Sequence, residues 1–516
     1  MTQDTAKARY AALRQRREPF LRRARECAAL TIPSLLPPEG FHGSMELPQP
    51  YQGLGARCVS YLASRITTAV FPPGKPFFRL QIPSEVLLKQ GMSSPPADLE
   101  QNLSLTERMI HAEVERRQWR SPTNLVLQHL ITTGNTLAQM LPDNRIRLYR
   151  LDQYCIVRDP AGNVTEIVIE EQLAPTSLPE AYRALVNVSD VGSGYVSLFT
   201  WVKKTVDGWS VSRELNDKKI PGPKGSGVYK ISPFIPLRWS AVVGEDYGRG
   251  KVEEHLADFR AIDGLQKAVL DGAAMASRNI TMVAPNAAGG LNLRRRIAMA
   301  KNGEIVVGNA EDVQMLQFQN AGGMQFTAQE LGVLKQELSS AFLLGSGARR
   351  DAERVTAAEV RMVAEELEGT LGGVYSTLGQ ELVMPLLARL IVQMQDAKPR
   401  PQLPAWPDGV IEPTILTGLE ALGREQEVQS VATVLQFMQG LPPEIVQMYP
   451  KWTVLLGRVF NGVGLSDAVH SEAEVQQLQQ QQAMMQAMAQ AGPQMMAEGG
   501  APPAAAQATE GGAAPM

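Results

Sequence analysis

The pattern of apolar and polar positions from Gln329 to Leu382 predicts two long helices joined by a short loop. Apolar residues three and four positions apart mark the first helix, over about Gln329–Leu344. Gly345 follows where a left-handed C-terminal cap belongs. The second helix opens at Thr356, whose spacing to Glu359 is that of a capping box. The loop between these helices carries three arginines: Arg349, Arg350 and Arg354.

Glycines interrupt the second of these helices. Its apolar stripe runs on to Leu382, but glycine recurs within it, and each glycine costs about 1 kcal/mol relative to alanine in a helix interior. We therefore predict a bend or break within this stretch, with Gly369, Gly372 and Gly373 as a hinge. A further interruption is predicted at Pro385, after which the helix should bend or end.

The rest of the chain alternates between helical and strand-like periods. Helices are predicted over residues 7–30, 51–71, 99–118, 122–139 and 247–278. A β-meander is predicted over residues 145–169, 195–202 and 209–213. Residues 279–321 predict a compact insert of short strands and a basic helical turn. A Pro-rich linker at 397–413 precedes a small helical domain, and the Gln/Met/Ala-rich and Gly/Pro-rich end predicts disorder.

Few patterns in the chain point to chemistry. The nearest trace of a phosphate-binding loop, at Gly250-Lys251, lacks the first glycine and the Ser/Thr hydroxyl that binds magnesium. The five histidines are far apart, and the three cysteines form no CxxC pattern. No apolar run reaches the length needed to span a bilayer, and the N-terminus has no signal peptide. We therefore expect no enzymatic activity, no cofactor, no metal site and no membrane partner.

Several segments together resemble one family, the portal or head-to-tail connector proteins of short-tailed bacteriophages. The resemblance extends from about residue 9 to about residue 470, and the segments keep the family's order. They are CAALTIPSLLP (Cys27–Pro37), YQGLGARCVSYLASRITTAVFP (Tyr51–Pro72), GEDYGRG (Gly244–Gly250), RVTAAEVRMVAEELEGTLGGVYSTLGQEL (Arg354–Leu382) and EPTILTGLEALGR (Glu412–Arg424).

The resemblance implies an α+β portal fold that forms a ring, with a mixed α/β wing, a helical stem, a small α/β clip and a helical crown. The implied boundaries are 1–246 wing, 247–278 stem helix, 279–322 clip, 323–344 stem helix, 345–355 tunnel loop, 356–399 long wing helix, 400–475 crown and 476–516 disordered tail. The family assembles as a dodecamer at one capsid vertex of the virion, after synthesis in the host cytoplasm. The implied partners are double-stranded DNA, the major capsid and scaffolding proteins, the terminase large subunit and a tail adaptor.

Charge is unevenly distributed along the chain. The formal net charge is −3, whereas residues 7–25 hold eight Lys/Arg and one acid, so the remainder is acidic. A protein that grips DNA tightly is usually basic, because phosphate neutralisation drives binding. This charge balance therefore fits a channel through which DNA slides better than it fits a protein that grips DNA. For the basic N-terminal helix, a solvated face and an anion-facing or subunit-facing role both stay open.

Two groups of basic residues are candidate sites under this resemblance. For the tunnel-loop arginines Arg349, Arg350 and Arg354, three alternatives stay open: contact with DNA in the channel, salt bridges between subunits, or no role. Three alternatives also stay open for the basic clip residues: a solvated helix face, docking to an acidic surface of the terminase or adaptor, or contact with DNA. These residues are Arg294, Arg295, Arg296 and Lys301. Two other functional classes stay open: an ATPase or other enzyme subunit, and a ring-shaped tail adaptor or structural head-tail component without a channel role.

Overall fold

The structure of the chain is a computed structural model with helices and antiparallel sheets. It describes residues 5–41, 43–74, 76–82, 97–178, 182, 194–215, 217–222, 225–276, 280–284, 290–301, 305, 307, 311, 313–316, 321–344, 362, 365–367, 369–371, 373–397, 403, 414–417 and 436. The chain divides into two compact units, residues 1–81 with 107–422, and residues 82–106 with 423–516. Most of the described residues belong to the first unit.

Among the described residues, six helices longer than ten residues lie wholly in the first unit. In chain order the helices are α1 (Ala6–Ala29), α2 (Leu54–Val70), α3 (Ala97–Arg116, which begins in the second unit), α4 (Arg120–Thr133), α5 (Lys251–Glu254), α6 (Leu256–Ala276), α7 (Gly290–Met299), α8 (Ala321–Ala341), α9 (Val374–Leu378) and α10 (Met384–Gln395). Helices α6 and α8 pack against each other and are called the helical hairpin below. The insert is residues 280–316, which connect them.

The strands form four antiparallel sheets. They are β1 (Phe78–Gln81), β2 (Asn135–Met140), β3 (Ile146–Tyr149), β4 (Tyr154–Arg158), β5 (Val164–Leu173), β6 (Val196–Thr205), β7 (Gly208–Leu215), β8 (Lys218–Lys219), β9 (Ser226–Tyr229), β10 (Phe234–Arg238), β11 (Ile280–Val283), β12 (Val313–Leu316) and β13 (Thr414–Thr417). The largest has the order β4-β5-β6-β7-β8, with β9 also paired to β7. The others are β10-β2-β3, β1-β13 and β11-β12.

Helix α1 packs across the edge of the largest sheet. Its first half contacts Val168 and Trp201, and its second half contacts Ile167 and Ile169, which alternate with them along the strands. Between these two cores Arg17 is buried and donates to the carbonyl oxygen of edge-strand residue Tyr154 at 2.7 Å. The arginine thereby satisfies an edge carbonyl that would otherwise be an unpaired buried acceptor.

The predicted helix over 122–139 is too long. Helix α4 ends at Thr133 because Gly134 is left-handed, with φ of 74°, and β2 begins at Asn135. Strand β13 pairs in register with β1, so that Phe78 lies opposite Thr417. These two strands, and β10, were not predicted from the sequence. Because β13 belongs to the first unit, this part of the predicted crown segment lies in the same compact unit as most of the predicted wing.

The helix predicted to begin at Thr356 is broken where its glycines cluster. Leu371 and Gly373 form a turn, and Gly373 has φ of 85°. Of the two outcomes predicted after Pro385, the ending is wrong, because α10 continues to Gln395. A π-helical turn, Gly379–Val383, lies directly before α10, so Pro385 falls in the first turn, where its missing N–H breaks no helical bond.

Candidate functional site

The helical hairpin begins at a place where two backbones lie very close together. A Cβ on Gly250 would lie 2.8 Å from the backbone nitrogen of Gly134 and 2.8 Å from the carbonyl oxygen of Ile131. A Cβ on Gly134 would lie 2.5 Å from backbone atoms of Arg249 and Gly250. Only glycine permits this approach. The last glycine of the GEDYGRG segment, Gly250, is therefore required for steric reasons.

Asn135 holds this approach together with two buried hydrogen bonds. Its Nδ2 donates to the carbonyl oxygen of Gly248 at 2.9 Å, and the N–H of Gly248 donates to its Oδ1 at 2.7 Å. Gly134 and Asn135 were not predicted as functional residues, because the predicted helix ran past them. A glycine after an apolar helix is the signal that could have found them, since it marks a C-terminal cap.

The middle of the GEDYGRG segment fastens the hairpin to β4. The N–H of Ile156 donates to the hydroxyl of Tyr247 at 3.1 Å, and the N–H of Arg158 donates to Asp246 at 2.8 Å. Tyr247 is buried and stacks on Phe20 of α1, with ring centroids 5.1 Å apart. Burial raises the pKa of Tyr247 well above its ordinary value, so the hydroxyl stays neutral. These links form the root of the hairpin; they are short, and those between Tyr247 and Ile156 and between Asn135 and Gly248 are buried.

Most of the basic charge of α1 is engaged within the chain. Arg249 bridges Glu245 and Glu253 at 2.8 and 2.7 Å, and Arg23 of α1 joins Glu253 at 2.9 Å. Further ion pairs join Lys7 to Asp217, Arg9 to Glu166, Arg14 to Glu39, and Arg25 to Glu18 and Glu39. Arg16 and Arg22 remain exposed. Most basic residues of this helix therefore have a partner within the chain, and the ion pairs of Lys7 and Arg14 are solvent-exposed.

The two helices of the hairpin meet along an apolar seam. Buried Phe259 of α6 packs edge-on against buried Phe342, with centroids 5.7 Å apart. Farther along, Lys335 donates to Gln266 at 2.7 Å. Near the insert, a Cβ on Gly272 would lie 3.2 Å from the sulfur of Met324, which therefore packs against the glycine. The seam therefore joins the two helices from the root almost to the insert.

The hairpin ends differently from the sequence-based expectation. Helix α8 begins at Ala321, earlier than the predicted Gln329, because glycines in its first turn weakened the helical signal. The left-handed cap is Leu343, with φ of 58°, instead of Gly345. The N–H of Leu344 donates to Ser339 at 2.8 Å and that of Leu343 to Ser340 at 3.0 Å, which is a Schellman motif.

The predicted clip arginines lie on one short helix. Arg294, Arg295 and Arg296 belong to α7, and all three are exposed, as is Lys301 beyond its end. Leu293 of α7 is buried, whereas Leu291 and Met299 are 81% and 71% exposed. Because Leu291, Arg295 and Met299 are four residues apart, they share one face of the helix. The exposed face thus combines positive charge with two large apolar side chains.

The other predicted site is only partly described. Arg349, Arg350 and Arg354 lie outside the described residues, as does Gly372. Gly369 is helical and Gly373 forms the break, but whether they act as a hinge stays a prediction. A cleft of about 470 Å³ lies beside this break and is lined by Arg238, Trp239, Ser240, Ala241, Lys251, Glu254, Thr370, Leu371, Val374, Thr377 and Glu381.

The cysteines, the possible metal ligands and the helices of the described residues bear on the sequence-based expectations. Cys27, Cys58 and Cys155 are buried and free. Within the ranges that the structure describes, no group of three or more His, Cys, Asp or Glu side chains could bind a metal ion. None of the described helices has both the length and the apolar character needed to cross a membrane.

Comparison with known proteins identifies the family. The model of the bacteriophage head to tail connecting protein family matches residues 3–470. The chain is 34% identical to the portal protein of Escherichia phage T7 over 507 residues, which cover 95% of this chain and 92% of that protein. It is 35% identical to the portal protein of Enterobacteria phage T3, covering 98% of this chain and 95% of that protein.

Among solved structures, one match is to a chain in the neck of an empty gene transfer agent (GTA) particle. The aligned region covers 76% of this chain and 91% of that chain. That match has 12% identity and a TM-score of 0.35, which is too low to support a conclusion. The match to the family model covers most of the chain. The chain therefore belongs to the family of bacteriophage head to tail connecting proteins.

Proposed function

We propose that this chain is the subunit of a portal ring at one vertex of a phage capsid. The ring passes double-stranded DNA inward during packaging and outward during ejection. The observation that carries this function is the continuous similarity to portal proteins of phages T7 and T3 over nearly the whole chain. The subunit acts through steric fit and electrostatics, and no catalysis is assigned to it.

The parts of the structure correspond to the parts of a portal subunit. The helical hairpin is the stem, the insert with β11, α7 and β12 is the clip, and the unit built around the largest sheet is the wing. The close backbone approach at Gly134 and the buried hydrogen bonds between Asn135 and Gly248 support this assignment, because they fix the hairpin to the unit built around the sheet. Residues 345–355 are the tunnel loop, and 423–475 belong to the crown.

The exposed face of α7 docks the packaging terminase and later the tail adaptor. Its three arginines and its exposed Leu291 and Met299 favour an acidic partner surface with apolar side chains. A protein interface is favoured over DNA because large exposed apolar residues add nothing to phosphate binding.

Replacing Arg294, Arg295 and Arg296 by alanine tests this assignment. We expect intact rings that bind purified terminase large subunit at least tenfold more weakly. The matched control is Arg16→Ala with Arg22→Ala, which removes exposed arginines far from the insert in the chain. Equal weakening in both variants would show that only net charge matters, and unchanged binding by the triple variant would refute the assignment.

Light scattering on the purified chain tests the ring itself. Twelve copies of a 56.3 kDa chain give a particle of about 680 kDa. We expect such a particle at micromolar concentration and moderate salt. A monodisperse monomer under these conditions would contradict the proposed function.

A further inference from the structure

The two helices of the hairpin each expose a face on the side opposite their shared seam. On α8 this face carries Phe326 and Val333, which are 68% and 47% exposed and seven residues apart. On α6 it carries Ala261, Gly264 and Ala268, all exposed, with open space around Gly264. Large apolar side chains on one outer face thus accompany small ones on the other.

The seam fixes which residues of the two helices lie at the same height. The helices run in opposite directions, and Phe259 packs on Phe342 while Gln266 accepts a hydrogen bond from Lys335. When two residues, one on each helix, lie at the same height along the hairpin, their residue numbers therefore add up to about 600. By this rule Val333 is level with Ala268.

The same rule matches the remaining outward residues. Phe326 is level with Met275, whose side chain is 61% exposed on the same face of α6. Ser340 is level with Ala261. Val333 on α8 thus corresponds in height to the small Ala268 on α6, and the exposed aromatic ring of Phe326 corresponds to the exposed thioether of Met275.

We propose that the outer face of α8 packs against the outer face of α6 in an identical neighbouring subunit, with Val333 over Ala268 and Phe326 against Met275. This inference rests on the proposed function and names the stem contact that closes the ring. A sulfur–aromatic contact and a large-to-small fit both stabilise such packing. DNA is not the occupant, because phosphate binding needs cations and Ala261, Gly264 and Ala268 carry none.

The geometry of the contact is compatible with a closed ring. The two faces differ and lie on opposite sides of one hairpin, so each subunit uses one face toward each neighbour. Such a head-to-tail contact repeats around an axis and closes into a ring when the rotation permits. An isologous dimer would instead use the same face twice, which would bring Phe326 against its own copy.

Disulfide trapping tests the register of this contact. The three native cysteines are buried, which keeps the background low. We expect the double variant Val333→Cys with Ala268→Cys, after mild oxidation, to give a ladder of covalent multimers in steps of one chain. Each single variant should give no ladder. The matched control is Val333→Cys with Ala257→Cys, eleven residues and roughly 16 Å out of register along α6, which should also give none.

The outcomes separate this contact from the ring itself. Rings by electron microscopy without a ladder would overturn the contact while leaving the ring intact. No rings from the wild-type chain would instead contradict the proposed function. If the first pair prevents assembly, Ser340→Cys with Ala261→Cys repeats the test with near-isosteric changes, and an absent ladder there also overturns the contact.

Discussion

The close backbone approach where the hairpin begins gives the sharpest prediction, the variant Gly250→Ala. Gly250 has φ of −88°, so alanine is allowed by backbone conformation and the effect is purely steric. The new Cβ would lie 2.8 Å from two backbone atoms and 3.0 Å from the carbonyl oxygen of Thr132. Ordinary contact begins near 3.4 Å, so the two backbones must separate by about 0.6 Å.

That separation acts on the hydrogen bonds at the root of the hairpin. Overpacking costs about 1–3 kcal/mol, and weakening the two buried bonds between Asn135 and Gly248 adds about 1 kcal/mol. We expect Gly250→Ala to lower the free energy of unfolding in urea by about 3 kcal/mol. It should also speed hydrogen exchange at the start of α6.

The matched control is Gly332→Ala within α8. A Cβ there meets nothing within 4 Å, so the change should raise helix stability by up to about 1 kcal/mol. The two variants make the same chemical change and should shift stability in opposite directions. If Gly250→Ala were as stable as the wild type, the close approach at the root would not hold the hairpin.

Three further predictions concern charge and assembly. Burial lowers the pKa of His129 to about 4, whereas the unfolded value is about 6.5, so the unfolded chain gains a proton first as pH falls. The free energy of unfolding should therefore fall by up to about 3 kcal/mol from pH 6.5 to 4, and His129→Leu should remove this slope; an unchanged slope would refute the assignment. Arg349→Ala with Arg350→Ala should leave rings and empty heads intact but lower the ratio of full to empty particles on a density gradient, because a positive collar in a confined channel retains DNA; an unchanged ratio would leave these arginines a structural role. Truncation after Ala491 should leave ring assembly unchanged in light scattering, since the removed residues have no core-forming pattern, and failure to assemble would contradict this.

Local periodicity was sufficient to predict most long elements. The helices α1, α2 and α6, and the meander of β4 to β7, follow from the period of the sequence, because each of them buries one face. The break at Gly373 also follows from sequence, because clustered glycines weaken a helix wherever it packs. Family resemblance supplied the order of these elements around the insert.

The remaining features depend on contacts between distant residues. Strand β1 has only four residues, and its pairing with β13 joins segments more than three hundred positions apart. Leu343 adopts the left-handed conformation that glycine usually takes, because its side chain is buried at the end of the hairpin. The two hydrogen bonds between Asn135 and Gly248 likewise arise only once the chain has folded. Periodicity carries no information on any of these contacts.

Cryo-electron microscopy of assembled phage particles is the most direct test of a portal function. We expect a ring of about twelve copies of this chain inside one capsid vertex, with a central channel that holds DNA in full heads. The helical hairpins should lie side by side around that channel. A ring located below the vertex, or a vertex without this chain, would contradict the portal function and favour a tail adaptor.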